Sequence, residues 1–362
     1  MKLTKSNKSL PSASISTSCE SPDTGSRVPF TRACSLFPFV SLLQEIGAPT
    51  ERLLARSHIP TECLDNPESL VPLHFAHRFV ELAASREGIE DLGMQAAQRA
   101  SAFELGECGR QLQKALTVYD YIQTGMRLIR YSTSGSRFWL SPEESGNIRV
   151  NQFSAGQKGA GHCQGDNFTL MITIGMLRHF AAGQWSPQEI ALLHGNDQYL
   201  GDIEALADAE IVTDQCHSSF TLPVSLLQQP IIRRSSPASD GSGEPQQIDE
   251  MPTDFVGSIE SLVATLLREG YPEIHLAAEA AGMSKRTLQR RLTEAGQSYS
   301  AIVNQTRLRL AARHLADTDM EISEIAASLG YKDASNLTRA FRTKTGMTPT
   351  LYRQKSTLQE RT

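Results

Sequence analysis

Between residues 274 and 341 the apolar positions fall into two matching blocks. The first carries Ala278, Gly282, Ser284, Leu288 and Leu292; the second carries Ala326, Gly330, Asp333, Leu337 and Phe341. In each, a short apolar helix (274–281 and 322–329) reaches a glycine, which takes the left-handed conformation beyond a helix end at no steric cost. Ser284 and Asp333 then stand where a side-chain oxygen caps the next helix by accepting hydrogen bonds from its unpaired backbone N–H groups. The pattern predicts the same helix-turn-helix unit twice. The glycines lie 48 residues apart and the caps 49, so the second turn carries one extra residue.

The second helix of each unit separates its faces. At about 100° per residue, Leu288, Leu292 and Ala295 share one side of the first, while Arg286, Gln289, Arg290 and Thr293 share the other. In the second, Leu337 and Phe341 oppose Ser335, Thr338, Arg339 and Arg342. One face packs and the other is free to read. Arg bonds bidentately to guanine, and Gln or Asn to adenine, in a major groove. The candidate base contacts are therefore Arg286, Gln289, Arg290, Ser335, Asn336, Thr338 and Arg339, and the candidate phosphate contacts are Lys285, Arg291, Arg307, Lys332 and Arg342. Between the units, residues 300–315 predict a helix anchored by Ile302, Val303, Leu308, Leu310, Ala311, Ala312 and Leu315. Such a helix is ~24 Å long, a strut able to hold two recognition helices near the ~34 Å of one DNA turn. A lone helix-turn-helix also fits a helical bundle that never meets DNA, and an outward Arg is ordinarily a solvated charge; two copies on a strut favour a DNA reader.

Upstream the periodicity differs. Residues 36–47, 49–58, 72–88, 93–100 and 109–132 read as helices. Residues 137–140 and 147–153 then read as a β-hairpin around PEESGN, 167–181 as an apolar strand or helix, 186–194 as a helix opened by Ser-Pro, and 210–222 as strand. The fold class is an α+β N-terminal regulatory domain followed by an all-α domain with two helix-turn-helix units. Predicted boundaries are a disordered tail over 1–30, the regulatory domain over 31–232, a linker over 233–254, the DNA-binding domain over 255–355 and a tail over 356–362. The linker, RRSSPASDGSGEPQQIDEMPTD, is too rich in Ser, Pro, Gly and acid to bury a core; it is expected to separate the two parts and let a signal reorient them.

Composition narrows the chemistry. The 362 residues are 40% hydrophobic, enough for more than one core, and no apolar run approaches the ~20 residues that span a bilayer. Residues 253–362 hold 15 Lys and Arg against 12 Asp and Glu, a net +3, which leaves −8 for the rest of a chain at −5. The asymmetry has the sign a DNA reader needs and is too small for indiscriminate nucleic-acid binding. Six cysteines are scattered without a C-x-x-C pair, which indicates reduced thiols in a cytoplasm and no zinc or redox motif. The neighbours His162 and Cys163, and Cys216 and His217, have no metal-site spacing. The glycines of SAGQKGAGHCQGDN lack phosphate-cradle spacing, so that segment reads as a mobile loop. His74 and His77 lie on a mainly apolar helix and read as structural. No catalytic triad, carboxylate pair or H-E-x-x-H helix stands out; no enzyme activity, cofactor or metal is expected.

The run from 276 to 353 closely resembles the DNA-binding domain of AraC/XylS-type transcription regulators. Its closing segment, Ser335 through Arg339 with Phe341, Gly346, Pro349, Tyr352 and Arg353, resembles that family's signature. By position, Arg286, Gln289, Arg290, Ser335, Thr338 and Arg339 correspond to places where family members contact bases, while Ala334 occupies such a place without a hydrogen-bonding group. GRQLQKALTVYDYIQTGMRLIRYS, HFAAGQWSPQEIALLH and CHSSFTLPVSLLQQPI resemble, more loosely, the N-terminal domain of the subgroup that includes ornithine-responsive and mycobacterial virulence regulators. The resemblance implies a sequence-specific regulator of a bacterial cytoplasm, associated with the nucleoid and an activator by family habit. Its implied partners are double-stranded DNA, RNA polymerase, a small-molecule effector and a second copy of the chain. The alternative is a constitutive regulator whose N-terminal domain serves only dimerisation or protein interaction.

Overall fold

The computed structural model describes residues 27–181, 185–193, 203, 206, 208–231 and 250–359. The chain opens with β1 (Phe30–Arg32), α1 (Phe37–Glu45) and α2 (Thr50–Arg56), then β2 (Leu70–Pro72), which pairs antiparallel with β1. Three packed helices follow in α3 (Leu73–Glu87), α4 (Leu92–Arg99) and α5 (Gly106–Leu112). Next come α6 (Val118–Ser132), β3 (Arg137–Pro142), β4 (Asn147–Phe153), α7 (Ala160–Phe180), β5 (Glu189–Ala191), β6 (Glu210–Val212), β7 (Ser218–Pro223) and α8 (Val224–Leu227). The sheet order is β3-β4-β7-β5-β6, antiparallel except for the β5–β6 pair. The expected hairpin is present, with Trp139 opposite Asn151. The N-terminal domain is α+β as its pattern implied.

Three local expectations are corrected. Residues 109–132 are two helices, because Thr117 accepts from Asp120 N while the Asp120 carboxylate accepts from Thr117 N, a capping box that starts α6 afresh. Of the helix expected over 186–194, the described residues 186–193 hold strand β5 instead: Ile190 and Ala191 are buried and pair with Phe220 and Ser219 of β7. The glycine-rich segment is no mobile loop over its second half, where Ala160–Asn167 belongs to α7. A Cβ on Gly161 would sit 2.1 Å from the carbonyl oxygen of His77, so this glycine lets α7 close onto α3. Gly93 of α4 does the same for the Gln164 carbonyl, also at 2.1 Å.

The C-terminal part is helical throughout: α9 (Phe255–Leu266), α10 (Ile274–Ala280), α11 (Lys285–Glu294), α12 (Tyr299–Asp317), α13 (Ile322–Ser328), α14 (Ala334–Thr345) and α15 (Pro349–Gln359). Its two units belong to different cores. Leu288 and Leu292 of α11, with Ile302 and Val303 of α12, pack into one apolar cluster continuous with the N-terminal domain. Ala311, Leu315, Ile325, Leu329, Leu337 and Phe341 form a second, smaller cluster. Leu310 on the strut packs against both.

The expected separation of regulatory domain and reader therefore fails for the first unit. Ser258 of α9 accepts from Val28 N at 3.0 Å, and Thr265 donates to Leu70 O at 3.2 Å. Arg78 of α3 forms an ion pair with Glu279 of α10, and Gln157 donates to Gly282 O at 2.8 Å. The expected tail over 1–30 and linker over 233–254 lie largely outside the described residues. Of their described residues, Val28, Phe30 and Met251 are buried, while Glu250, Thr253 and Asp254 are exposed. The expected tail from 356 begins inside α15.

Candidate nucleic-acid interface and an apolar cavity

Both turns form as their residues dictate. Gly282 and Gly330 have φ of 65° and 68°, the left-handed region that excludes most side chains. Ser284 accepts from Thr287 N at 3.1 Å and Asp333 from Asn336 N at 2.8 Å, so α11 and α14 begin at the expected caps. The strut is longer than its sequence limits, 19 residues, capped by Ser298.

Burial sorts the candidate contacts. Lys285, Arg286, Gln289, Arg290, Lys332, Ser335, Arg339 and Arg342 are exposed, and Arg291, Asn336 and Thr338 are half-buried. Leu288, Leu292, Leu337 and Phe341 are at most 1% exposed, so each helix turns its apolar face inward. Ala295, grouped with that face in sequence, is exposed because α11 ends at Glu294. Arg290 pairs with Glu294 one turn on at 3.2 Å, an exposed pair worth little and easily exchanged for another partner. Asn336 already donates to the Asp333 carboxylate at 3.0 Å, and Arg291 stacks over Phe255 at 4.8 Å.

Arg307 is withdrawn from the phosphate set. It is 7% exposed, donates from Nε to Leu329 O at 2.7 Å, and lies against the rings of Tyr331 and Tyr271. In sequence it is a basic residue on an amphipathic helix like Arg309 and Arg313, which are exposed. Nothing in the local sequence separates them; the two tyrosines that cover Arg307 come from elsewhere in the fold.

The N-terminal domain holds a partly open cavity of about 170 Å³. Its wall is mainly apolar and comes from five helices and the sheet, including Phe39 of α1, Val80 of α3, Leu112 of α5, Ile122 of α6, Val150 of β4 and Ile172 of α7. His77 also borders it. Burial pushes the His77 imidazole down to about 3, with His162 and His74 adding repulsion, so this ring is neutral. No residue of this pocket is legible in the sequence, since its wall is drawn from helices and strands far apart in the chain. Among the described residues no cluster of three or more His, Cys, Asp or Glu is placed to hold a metal. His162 Nε2 lies 3.1 Å from Ser154 O and His217 Nε2 lies 2.9 Å from Asn151 Oδ1. No described helix is long and apolar enough to cross a membrane.

Two capped helix-turn-helix units on one strut, joined to an α+β module around a cavity, define a DNA-binding transcription regulator with a ligand-binding domain. A family profile described as the arabinose-binding domain of AraC transcription regulators matches residues 47–231, and a helix-turn-helix profile matches 277–355. The chain belongs to the AraC family of transcription regulators, a family of regulators and not of enzymes. It is 25% identical over 329 residues to the transcriptional regulator VirS of Mycobacterium tuberculosis, covering 89% of this chain and 96% of that one. It is 40% identical over 90 residues to the ornithine utilization regulator of Pseudomonas aeruginosa, covering 25% and 26% of the two. The crystal structure of the regulator CdpR from Pseudomonas aeruginosa aligns at 21% identity and a TM-score of 0.38, over 84% of this chain and 96% of that one.

Proposed function

We propose that the chain is an effector-responsive activator whose two units read successive major grooves on one side of an operator. Arg286, Gln289, Arg290, Ser335, Asn336, Thr338 and Arg339 contact bases, and Lys285, Arg291, Lys332 and Arg342 contact phosphates. The exposure of most of these residues on α11 and α14 supports that assignment. The cavity is the effector site. The observation that carries this reading is the position of α3: Leu73, Ala76, His77 and Val80 border the cavity, while Arg78 of the same helix holds Glu279 of the first helix-turn-helix unit. A ligand that shifts α3 therefore shifts the first reader relative to the second, which is tied to it chiefly through the strut. The activator acts on RNA polymerase in the bacterial cytoplasm, at the nucleoid, and a second copy of the chain is a further partner.

Coupling of this kind is reciprocal: a ligand that changes DNA affinity has its own affinity changed by DNA in the same ratio. Titration of operator DNA with the full chain, with and without a cavity ligand, tests it. A changed operator affinity, matched by an equal change in ligand affinity, is expected. Equal operator affinity in both conditions returns the chain to the constitutive reading.

A further inference from the structure

The chemistry of the cavity wall selects its occupant. No Lys, Arg, Asp or Glu is among the residues that line it. Its hydroxyls are mostly engaged: Thr169 and Thr173 each donate to a carbonyl of their own helix, Ser154 donates to Asp166, and Thr31 is bonded to Ser35, Ser132 and Thr133. A sugar or a zwitterionic amino acid placed here loses its hydration and finds few partners, which costs several kcal/mol for hydroxyls and far more for charges. Three polar groups of lining residues have no hydrogen bond among the described residues, the Tyr121 and Ser132 hydroxyls and the His77 ring, and of these only Tyr121 is buried against the apolar wall as a donor. Tyr121 is 6% exposed and borders the cavity beside Ile122. Its phenol stays protonated, because burial pushes it well above the usual range. It is a neutral donor on a residue that lines a mainly apolar wall. An apolar protein cavity of ~150 Å³ holds benzene, so a room of about 170 Å³ takes a somewhat larger molecule.

We infer that this domain binds an uncharged, largely hydrocarbon molecule bearing one acceptor oxygen, of the class of a medium-chain ketone or alcohol, with Tyr121 donating to that oxygen. The inference rests on reading the N-terminal domain as a sensor and departs from the sugar and the amino acid suggested by the names of its family profile and relative. It also excludes the corresponding carboxylate, for which the wall offers no cation.

The test uses the full chain without DNA and the probes 2-nonanone, nonanoate, L-ornithine and L-arabinose. Melting temperature and equilibrium dialysis report binding. 2-Nonanone is expected to raise the melting temperature in a saturable way, and the other three to leave it unchanged at equal concentration. Ile172→Phe fills the room and abolishes the effect of 2-nonanone. Tyr121→Phe keeps the volume and weakens 2-nonanone ~5-fold, as loss of one neutral hydrogen bond implies. Binding of nonanoate, L-ornithine or L-arabinose as tight as that of the ketone overturns the inference, as does failure of the ketone to bind or its retention by a folded Ile172→Phe. An unchanged affinity in Tyr121→Phe overturns the role of that hydroxyl. If 2-nonanone binds as expected but operator affinity does not respond to it, the sensor reading fails and the ligand class stands.

Discussion

The guanidinium of Arg307 lies 3.6 Å from the centre of the Tyr331 ring. Arg307 stands on the strut and Tyr331 in the turn of the second unit, while Tyr271, 5.9 Å from the same guanidinium, belongs to the loop before α10. Gly330, beside Tyr331, is needed for its left-handed φ of 68° and not for space, since a Cβ there would make an ordinary 3.5 Å contact with Tyr271 N. One buried cation therefore joins the strut, the second turn and the first unit. Burial lowers the Arg307 pKa somewhat, with the two tyrosines opposing that change, and the group stays charged at any working pH.

Arg307→Lys should accordingly behave as a structural substitution. Lysine keeps the charge and loses the planar stacking and the bond to Leu329 O. A destabilisation of about 2 kcal/mol is expected from the hydrogen bond and the cation–π contact together, read from chemical denaturation. The slope of log affinity against log salt for operator DNA should not change. A slope reduced by about 1, with Arg307→Ala, would restore Arg307 to the phosphate contacts.

Arg290→Ala and Arg339→Ala should each weaken specific binding by about 1–3 kcal/mol, mainly through base discrimination. Both residues are exposed on the outward faces of α11 and α14. A gel-shift comparison of operator and scrambled duplex checks this, and equal loss on both duplexes would reassign the residues to the phosphate backbone.

Phe341→Ala and Leu288→Ala should both cost stability, about 3–5 and about 2–5 kcal/mol, but with different signatures. Phe341 is 0% exposed in the small second core, edge-on to Tyr352 at 5.3 Å. Its loss should melt the second unit in a separate, earlier transition. Leu288 is 0% exposed in the core continuous with the N-terminal domain, so its loss should lower the main transition instead. Calorimetry distinguishes them; a single shared transition in both variants would mean the cores are energetically one.

His77 makes stability depend on pH. Its folded pKa of about 3 lies below the ordinary 6.5, so between these values the unfolded chain binds a proton that the folded chain refuses. Stability from this group is complete above pH 6.5 and is lost as pH falls from there towards 3. At pH 5 the loss is about 2 kcal/mol. The melting temperature of His77→Gln should fall less than that of the parent chain between pH 7 and pH 5, and an equal fall would place the sensitivity on other groups.

Glu279→Gln removes the charge from the ion pair with Arg78. Both partners are partly exposed, so stability should change by no more than about 1 kcal/mol. The effect of a cavity ligand on operator affinity should shrink, because α3 then has a weaker hold on α10. Full retention of that effect would locate the coupling in the apolar contacts of α9.

The reading unit was legible in the chain for a physical reason. Gly282, Ser284, Leu288 and Leu292 act through the helix they stand on and its turn, and so do their counterparts Gly330, Asp333, Leu337 and Phe341. Left-handed φ, caps and apolar stripes are local, and local rules survive being read without the fold. The sheet was legible where strands sit in one hairpin, β3 and β4, and misread at β5, whose partner β7 lies some thirty residues away. Ser186 and Pro187 favour a helix start in isolation, and the place beside β7 overrides them.

What the chain itself determined is the pair of capped turns, the inward and outward faces of α11 and α14, and the α+β character of the first domain. What only the tertiary structure decided is which charges are free and which parts are joined. Arg307 is buried because two tyrosines distant in sequence close over it, and the first unit shares a core with the N-terminal domain through α9 and α10. The cavity likewise belongs to no segment. Its wall is assembled from α1, α3, α5, α6, α7 and β4, which meet only in the fold. Burial, dielectric and enclosed volume are sums over neighbours from many elements, and no window of sequence contains those neighbours.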